Sequence, residues 1–356
     1  MTFISWFLKA FTDVAEFGLK AFIVVISFAL CAMILKKMLP AEKPSKKKLK
    51  VENLKKKYEK YSHQLYQKIM DKKEFKDHLK ESFPKDSFWD KLFTKNKLSK
   101  KEESASINKA LPSLFVLSFE GDIMASQVKS LREEISIILN AAKPKDEVAL
   151  ILESRGGSVS HYGLAANQLQ RLRENKIPLT VCVDRMAGSG GYLMACVGNQ
   201  ILASPFAFVG SIGVLLGLPN VHEFLKKHHV SYEEFTAGKY KTTVTPFGEI
   251  TEDKKNRLKE QLDLVHIQFK DFVQQYRNIN LEETATGEAW LAETALKKGL
   301  VDKLQCSDDY ILEKIKTHNV YKVSLKQNPS FLEKLNSKKP LASQALEELF
   351  QKNWFF

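Results

Sequence analysis

A serine flanked by glycines, Ser189, has the surroundings in this chain that best suit nucleophilic chemistry. The apolar run Ile177–Val183 before it predicts a strand, and the apolar run Tyr192–Val197 after it predicts the start of a buried helix. At a strand-to-helix turn among glycines, a serine hydroxyl can be exposed while a substrate backbone comes close. The N–H groups at the helix start can hold a developing negative charge. Because an isolated Gly-Ser-Gly-Gly is also typical of a plain turn in a βα unit, the other residues must decide.

Two glycine clusters could complete such a site by supplying the N–H groups of an oxyanion hole. Gly156 and Gly157 follow the predicted strand Glu147–Leu152, and Gly190 follows Ser189 directly. Glycine clusters after strands lie where α/β proteins place their sites. One N–H from each cluster could face the same pocket, and losing one such donor typically costs roughly a hundred- to a thousandfold in rate.

A serine nucleophile also needs a base, and the sequence offers two kinds. The eight histidines include His161 at a predicted helix start and His222 and His266 at helical spacings, but none stands in a short motif with an acidic residue to orient it. Each is more typical of a surface or core histidine. A lysine serves as a base only where an apolar pocket lowers its pKa. Lys241 lies in a glycine-containing loop near apolar residues, although a surface lysine is the simpler interpretation of the residues alone.

Composition indicates a globular protein and confines the positive charge to one segment. The chain has 356 residues, 44% of them hydrophobic, and a formal charge of +13. Residues 36–109 contain 23 lysines and 11 acidic residues, so the charge says little about the part that carries Ser189. The four cysteines are scattered without a C-x-x-C pair or a Cys/His cluster. This pattern predicts neither a metal site nor a disulfide scaffold.

Residues 1–40 contain a candidate membrane anchor. At about residues 17–35 lies an apolar run whose one charged residue is Lys20, which is close to the length that spans a bilayer. Lys36 and Lys37 follow it where a signal peptide would have a small-residue cleavage site, so a retained anchor is favoured. The positive-inside rule points the lysine-rich flank toward the cytoplasm.

Residues 41–110 are predicted to form a lysine-rich helical region and, from residue 81, a linker. Apolar residues recur there at spacings of three and four, which predicts a helix with one apolar face: Val51, Leu54, Tyr58, Tyr61 and Leu65. We expect that face to pack on a partner or on the next domain, and the lysines to adhere to anionic lipid headgroups. Nucleic-acid binding is disfavoured because the segment has no arginine and no recognisable reading motif.

From residue 111 onward, predicted strands and helices alternate. The strands are Leu114–Phe119, Glu147–Leu152, Ile177–Val183, Gln200–Ser204 and Tyr232–Thr236. The helices are Ser126–Ala142, Val159–Glu174, Asn220–His229 and Thr251–Arg277. This order predicts a catalytic domain at 111–305 with a largely parallel sheet covered by helices. A C-terminal helical extension at 306–356 follows, with a helix, a strand and a last amphipathic helix from Leu341.

Four ordered motifs resemble those of the S49 peptidases, the signal-peptide-peptidase family. They are Glu153-Ser154-Arg155-Gly156-Gly157-Ser158-Val159, Met186-Ala187-Gly188-Ser189-Gly190-Gly191-Tyr192, Val209-Gly210-Ser211-Ile212-Gly213-Val214 and Thr236-Ala237-Gly238-Lys239-Tyr240-Lys241. The resemblance covers residues 110–305 strongly and the N-terminal region loosely. It implies a ClpP/crotonase-like α/β fold of repeated β-β-α units, preceded by a transmembrane helix and the lysine-rich helical region.

The resemblance also implies a Ser-Lys dyad that needs no metal or cofactor. Ser189 matches the nucleophile and Lys241 the general base, whereas Lys239 does not match that position. Ser211 matches the hydroxyl that orients the lysine, and the backbone N–H groups of Gly156 and Gly190 match the oxyanion hole. The chain departs from the family pattern at one position, where Arg155 stands in place of a frequent proline. This departure bears on substrate preference more than on the dyad.

The expected function is therefore that of a membrane-anchored serine endopeptidase of the bacterial inner membrane. It would act on signal-peptide remnants or on unfolded and membrane proteins, with the lipid bilayer as a partner and no nucleic acid. Members of the family form rings, which implies a homo-oligomer. The sequence is also compatible with two other functions, that of a crotonase-like acyl-CoA enzyme and that of a non-catalytic membrane scaffold.

Overall fold

A largely parallel β-sheet runs through the part of the chain that the computed structural model describes, namely residues 48–71, 73–75, 111–238, 241 and 244–326. Its strands in chain order are β1 (Lys48–Asn53), β2 (Ser113–Gly121), β3 (Glu147–Ser154), β4 (Leu179–Val183), β5 (Met186–Gly188), β6 (Gln200–Ala203), β7 (Phe208–Gly210), β8 (Ala289–Leu291), β9 (Lys303–Leu304) and β10 (Asn319–Lys326).

Helices connect these strands. In chain order they are α1 (Leu54–Ile69), α2 (Val128–Ala141), α3 (Val159–Glu174), α4 (Gly190–Ala195), α5 (His222–Lys227), α6 (Glu252–Tyr276), α7 (Leu281–Thr284), α8 (Ala292–Lys297) and α9 (Ser307–Ile315). The long helix α6 begins where the Thr251 side chain accepts a hydrogen bond from the N–H of Lys254, which satisfies one of the free donors of the first turn.

The central strands pair in parallel and are covered on both sides. Their order across the sheet is β1-β10-β2-β3-β4-β6-β9, and the neighbours from β10 to β9 are parallel. In β3 and β4 neighbouring residues point to opposite faces. Leu150 and Val181 belong to a core with residues of α2 and α3, whereas Ala149 and Cys182 belong to a second core with residues of α1 and α9. The predicted α/β architecture is confirmed.

A short branch of the sheet brings three strand ends together. Ser154 at the end of β3 pairs with Ala187 in β5, and Gly188 at the end of β5 pairs with Gly210 at the end of β7. Strand β8 then pairs antiparallel with β7. The carboxyl ends of β3, β5 and β7 therefore lie side by side, which is where α/β folds place functional loops.

The lysine-rich segment contributes a strand as well as the predicted helix. Val51, the first member of the predicted apolar stripe, lies in β1 at the edge of the sheet. Asn53 separates the two elements, because its side chain accepts a hydrogen bond from the N–H of Lys56 and caps α1. Leu54 is buried in the second core, whereas Tyr61 and Leu65 are exposed. The stripe therefore packs only at its N-terminal end.

One predicted strand is wrong. Residues 232–236 are irregular, and none of the described strands pairs with them. Phe235 is 90% exposed, so the aromatic residues of this segment do not face the core as those of a sheet strand would. By contrast, helix α3 has the predicted bounds Val159–Glu174.

Several predicted elements lie outside the described residues. These are the anchor at about residues 17–35, the linker from residue 81 and the helix from Leu341. Among the residues that the structure does describe, none of the helices combines the length and the apolar character needed to cross a membrane.

Candidate active site

Ser189 occupies a strained turn between β5 and α4. Its backbone has φ 51° and ψ −118°, a combination that residues with a side chain rarely adopt and that costs on the order of 1–3 kcal/mol. The Ser189 N–H donates to the carbonyl of Gly210 (2.8 Å), and its own carbonyl accepts from Leu193 N–H in α4 (3.0 Å). The side chain is half-buried and makes no capping hydrogen bond to the helix. The Ser189 hydroxyl is therefore not used to cap α4, and in a nucleophile elbow the serine hydroxyl is likewise uncapped.

The glycines after Ser189 are required by close packing. A Cβ on Gly190 would lie 2.4 Å from Cγ of Tyr162, and a Cβ on Gly191 would lie 2.6 Å from the carbonyl oxygen of Ser154. Neither distance is possible for a real side chain. The start of α4 therefore lies against both β3 and α3, which holds the N–H groups of its first turn in place.

The loop after β3 lies directly beside Ser189. Gly156 has φ +93°, and a Cβ built on it would lie 2.7 Å from both Ser189 Cβ and the Gly190 nitrogen. The two glycines predicted to form an oxyanion hole are thus brought together. The N–H of Gly156 already donates to Ser154 Oγ at 3.0 Å. An oxyanion bound here would share that N–H with the Ser154 hydroxyl.

Ser211 lies at the position in β7 that corresponds to Ser189 in β5. Each serine follows one member of the paired glycines Gly188 and Gly210, and each has φ 51°. The N–H of Ser211 donates to the carbonyl of Glu288 at 2.6 Å. The register therefore sets the two serines next to each other at the same edge of the sheet.

Lys241 lies in the segment between β7 and α6. Its N–H closes a turn by donating to Gly238 O at 3.1 Å, and its side chain is exposed. Among the described residues, no hydrogen bond joins the Lys241 side chain to Ser189 or Ser211. The structure therefore brings together four of the five predicted site residues. The role of Lys241 as the base stays a prediction.

Two of the candidate histidines hydrogen-bond to groups other than Ser189. Nδ1 of His161 lies 2.9 Å from Ser158 Oγ, and Nε2 of His266 lies 3.2 Å from the carbonyl oxygen of Ile212. Within the described part of the chain, none of the histidines hydrogen-bonds to Ser189.

Two buried hydroxyls beside the glycines were missed by sequence reasoning. Ser154 belongs to one of the four motifs but had no predicted role, and Tyr162 lay within the predicted helix Val159–Glu174. In the structure their oxygens are 2.6 Å apart, under the loop that carries Gly156. Ser154 and Tyr162 are eight residues apart in the sequence, and that separation does not predict a contact between their side chains.

Two family models and several relatives match large parts of the chain. The model for peptidase family S49 matches residues 171–321, and the model for the S49 N-terminal region matches residues 9–169. A protein named "Probable protease SohB" from Haemophilus influenzae is 49% identical over 239 residues, which is 67% of each chain. The chain belongs to peptidase family S49. Another "Probable protease SohB", from Buchnera aphidicola subsp. Schlechtendalia chinensis, is 50% identical over 60% of this chain and 70% of its own.

A solved structure also matches, a mutant of the 1510-N membrane-bound stomatin-specific protease in complex with a substrate peptide. Its TM-score is 0.37 at 16% identity, and the match covers 64% of this chain and 97% of that chain. Membership in family S49 supports peptidase activity and argues against the acyl-CoA and scaffold interpretations. Ser189, Ser211 and Lys241 all lie inside the segment that the S49 model matches.

The strain at Ser189 predicts that its glycine variant is more stable than its alanine variant, the reverse of the usual order. Alanine keeps the Cβ and its steric conflict, whereas glycine adopts positive φ freely. We expect Ser189→Gly to have a free energy of unfolding in urea about 1 kcal/mol above that of Ser189→Ala.

The matched control is Ser136, an exposed position in α2. There glycine should be less stable than alanine by about 1 kcal/mol, because it loses more backbone entropy in a helix. Equal stability of the two Ser189 variants would show that the turn is unstrained.

Proposed function

We propose that this chain is a serine endopeptidase in which Ser189 is the nucleophile and Lys241 the general base, on a ClpP/crotonase-like fold. The observation that carries the proposal is the strained turn of Ser189, which lies beside Gly156 and at the first turn of α4. Strained backbone conformations are concentrated at functional sites. The Ser189 hydroxyl makes no capping hydrogen bond to α4, as is expected of a nucleophile at such a turn.

The chemistry is acyl transfer through an ester. The neutral amine of Lys241 takes the proton of Ser189 Oγ while this oxygen forms a bond to the substrate carbonyl carbon. The negative oxygen of the tetrahedral intermediate is bound by the N–H groups of Gly156 and Gly190. When the intermediate collapses, the C–N bond breaks and the lysine ammonium protonates the leaving amine. Water then attacks the ester, with Lys241 again taking and returning a proton.

Ser211 would orient the lysine. It lies next to Ser189 by the register of β5 and β7, so a lysine amine between the two hydroxyls can donate to Ser211 Oγ while it accepts from Ser189. Such a bond removes rotational freedom from the amine. It also lines the amine's lone pair up with the proton that has to move.

A lysine base requires that the pocket be covered by apolar groups, since water stabilises the ammonium form. The segment between β7 and α6, residues 211–251, exposes several large apolar side chains: Leu215, Leu216, Phe224, Val230, Phe235 and Phe247. A bound peptide and a neighbouring copy in a ring would both cover such a surface. Their exposure supports peptide or unfolded protein as substrate and a homo-oligomer as the working form.

The membrane part of the proposal rests on the apolar run at about residues 17–35 and on the lysines that follow it. A single N-terminal span in the bacterial inner membrane would keep the active site close to the bilayer. Remnant signal peptides and unfolded membrane proteins are the substrates that such a position offers.

We expect Ser189→Ala and Lys241→Ala each to lower kcat for cleavage of a labelled unfolded protein by at least about a thousandfold, because members of a catalytic pair act as a unit. The matched control is Lys239→Ala, which removes a lysine two residues away and should keep activity of the same order as the unmodified chain. Full activity of Lys241→Ala, or loss of activity in Lys239→Ala instead, would contradict the assignment of the base.

The anchor is tested by fractionating cells that express the full chain or a chain without residues 1–40. The full chain should sediment with membranes and resist alkaline carbonate, and the shortened chain should be released by it. Retention of the shortened chain after carbonate would place the anchor elsewhere. Protease accessibility of a tag after Phe356 in spheroplasts then reports the side of the membrane.

A further inference from the structure

Three hydrogen bonds, one of them fully buried, connect the chain before α2 to the loop beside Ser189. Tyr162 donates its hydroxyl proton to the carbonyl oxygen of Asp122 at 2.8 Å. Ser154 Oγ lies 2.6 Å from the Tyr162 hydroxyl, and the N–H of Gly156 donates to Ser154 Oγ at 3.0 Å. Every polar atom in this row has a partner, as buried groups require.

The direction of each proton follows from the chemistry of the groups. A carbonyl oxygen only accepts, so the single proton of Tyr162 goes to Asp122. The proton between the two hydroxyls must then come from Ser154. This leaves a lone pair of Ser154 Oγ facing the N–H of Gly156, which is the arrangement observed. The hydroxyl of Tyr162 thus determines, through Ser154, which way the Gly156 peptide is turned.

Both hydroxyl residues are enclosed by the structure. Ser154 is 2% exposed and Tyr162 0% exposed. Burial raises the pKa of Tyr162, which keeps its proton in place over the pH range in which a protease works. A Cβ on Gly121 would lie 2.3 Å from Ser154 Oγ and from the Tyr162 hydroxyl, so this glycine leaves the space that the pair fills.

Tyr162 also touches the second half of the site. Its ring lies so close to Gly190 that a Cβ there would be 2.4 Å from the ring carbon Cγ. The hydroxyl end of the side chain acts on the Gly156 loop through Ser154, and the ring end supports the first residue of α4. One side chain therefore touches or controls both N–H groups that the proposed reaction uses.

We infer that Ser154 and Tyr162 are positioning residues that set the geometry of the oxyanion hole. This inference rests on the proposed function. In the resting site Ser154 Oγ holds the Gly156 N–H in a fixed direction. When the tetrahedral intermediate forms, the N–H is shared between Ser154 Oγ and the oxyanion, and the charged oxygen is the stronger acceptor. Donors that are already oriented require no reorganisation at that moment, which is how such sites stabilise the transition state.

The test compares two Tyr→Phe variants of the full-length chain on a labelled unfolded protein. Tyr162→Phe removes the hydroxyl that orients Ser154. Tyr310→Phe removes a buried hydroxyl that donates to Thr180 Oγ1 at 3.0 Å in the second core, on the other face of the sheet. Tyr162→Phe removes two hydrogen bonds and Tyr310→Phe removes one, so thermal melting should fall more for Tyr162→Phe, and kcat is compared at a temperature at which both variants are folded.

We expect Tyr162→Phe to lower kcat about tenfold, a smaller loss than removal of an oxyanion donor, with KM unchanged. Tyr310→Phe should keep the kcat of the unmodified chain. If Tyr162→Phe does not fold, Ser154→Ala decides, and the same fall in kcat is expected. An unchanged or raised kcat in the folded variant overturns the inference, because a merely structural pair, or one that withholds the N–H, would give that result.

A parallel assay of Ser189→Ala separates this inference from the proposed function. If Ser189→Ala stays active, the proposed nucleophile is wrong whatever Tyr162→Phe does. If Ser189→Ala is inactive and Tyr162→Phe cleaves at the normal rate, only the positioning role fails.

Discussion

The backbone of Ser189 is held in a conformation that its own side chain disfavours, and the arrangement of the site depends on that constraint. The turn persists because its surroundings over-determine it: the Ser189 N–H is bound to Gly210 in β7, and glycines allow α4 to lie against β3 and α3. A sharp turn at this place projects the serine hydroxyl from the edge of the sheet. It also directs the first N–H groups of α4 toward the same space.

The parallel sheet supplies the rest of the site by bringing strand ends together. The pairing of Ser154 with Ala187 and of Gly188 with Gly210 aligns β3, β5 and β7, so that the residues following them become neighbours. The two cores then fix the sheet from both faces, and the buried hydroxyls of Ser154 and Tyr162 link it to α3. Packing throughout both cores therefore stabilises the sheet that holds Ser189 in its strained conformation.

The sequence predicted the parts of this arrangement that depend on local patterns. Helix α3 and the glycine-rich turn at Ser189 are both determined by residues close in sequence. Both could therefore be located before the fold was known. The prediction of a strand at residues 232–236 was wrong because a short run with aromatic residues does not by itself provide a neighbouring strand to pair with. The contact of Ser154 with Tyr162 could not be predicted, since spacing tells which face a residue lies on and not what it touches. Lys241 was selected by resemblance to a family, because no local pattern distinguishes it from the other exposed lysines.

The most direct test of the central claim is to identify the residue that a fluorophosphonate modifies as it inactivates the full-length chain. Peptide mass spectrometry would follow the modified fraction of Ser189 alongside hydrolysis of an unfolded protein. The account predicts that activity falls in proportion to modification of Ser189, and that Ser189→Ala takes up no label. Inactivation with Ser189 unmodified, or full modification of Ser189 with hydrolysis unimpaired, would contradict it.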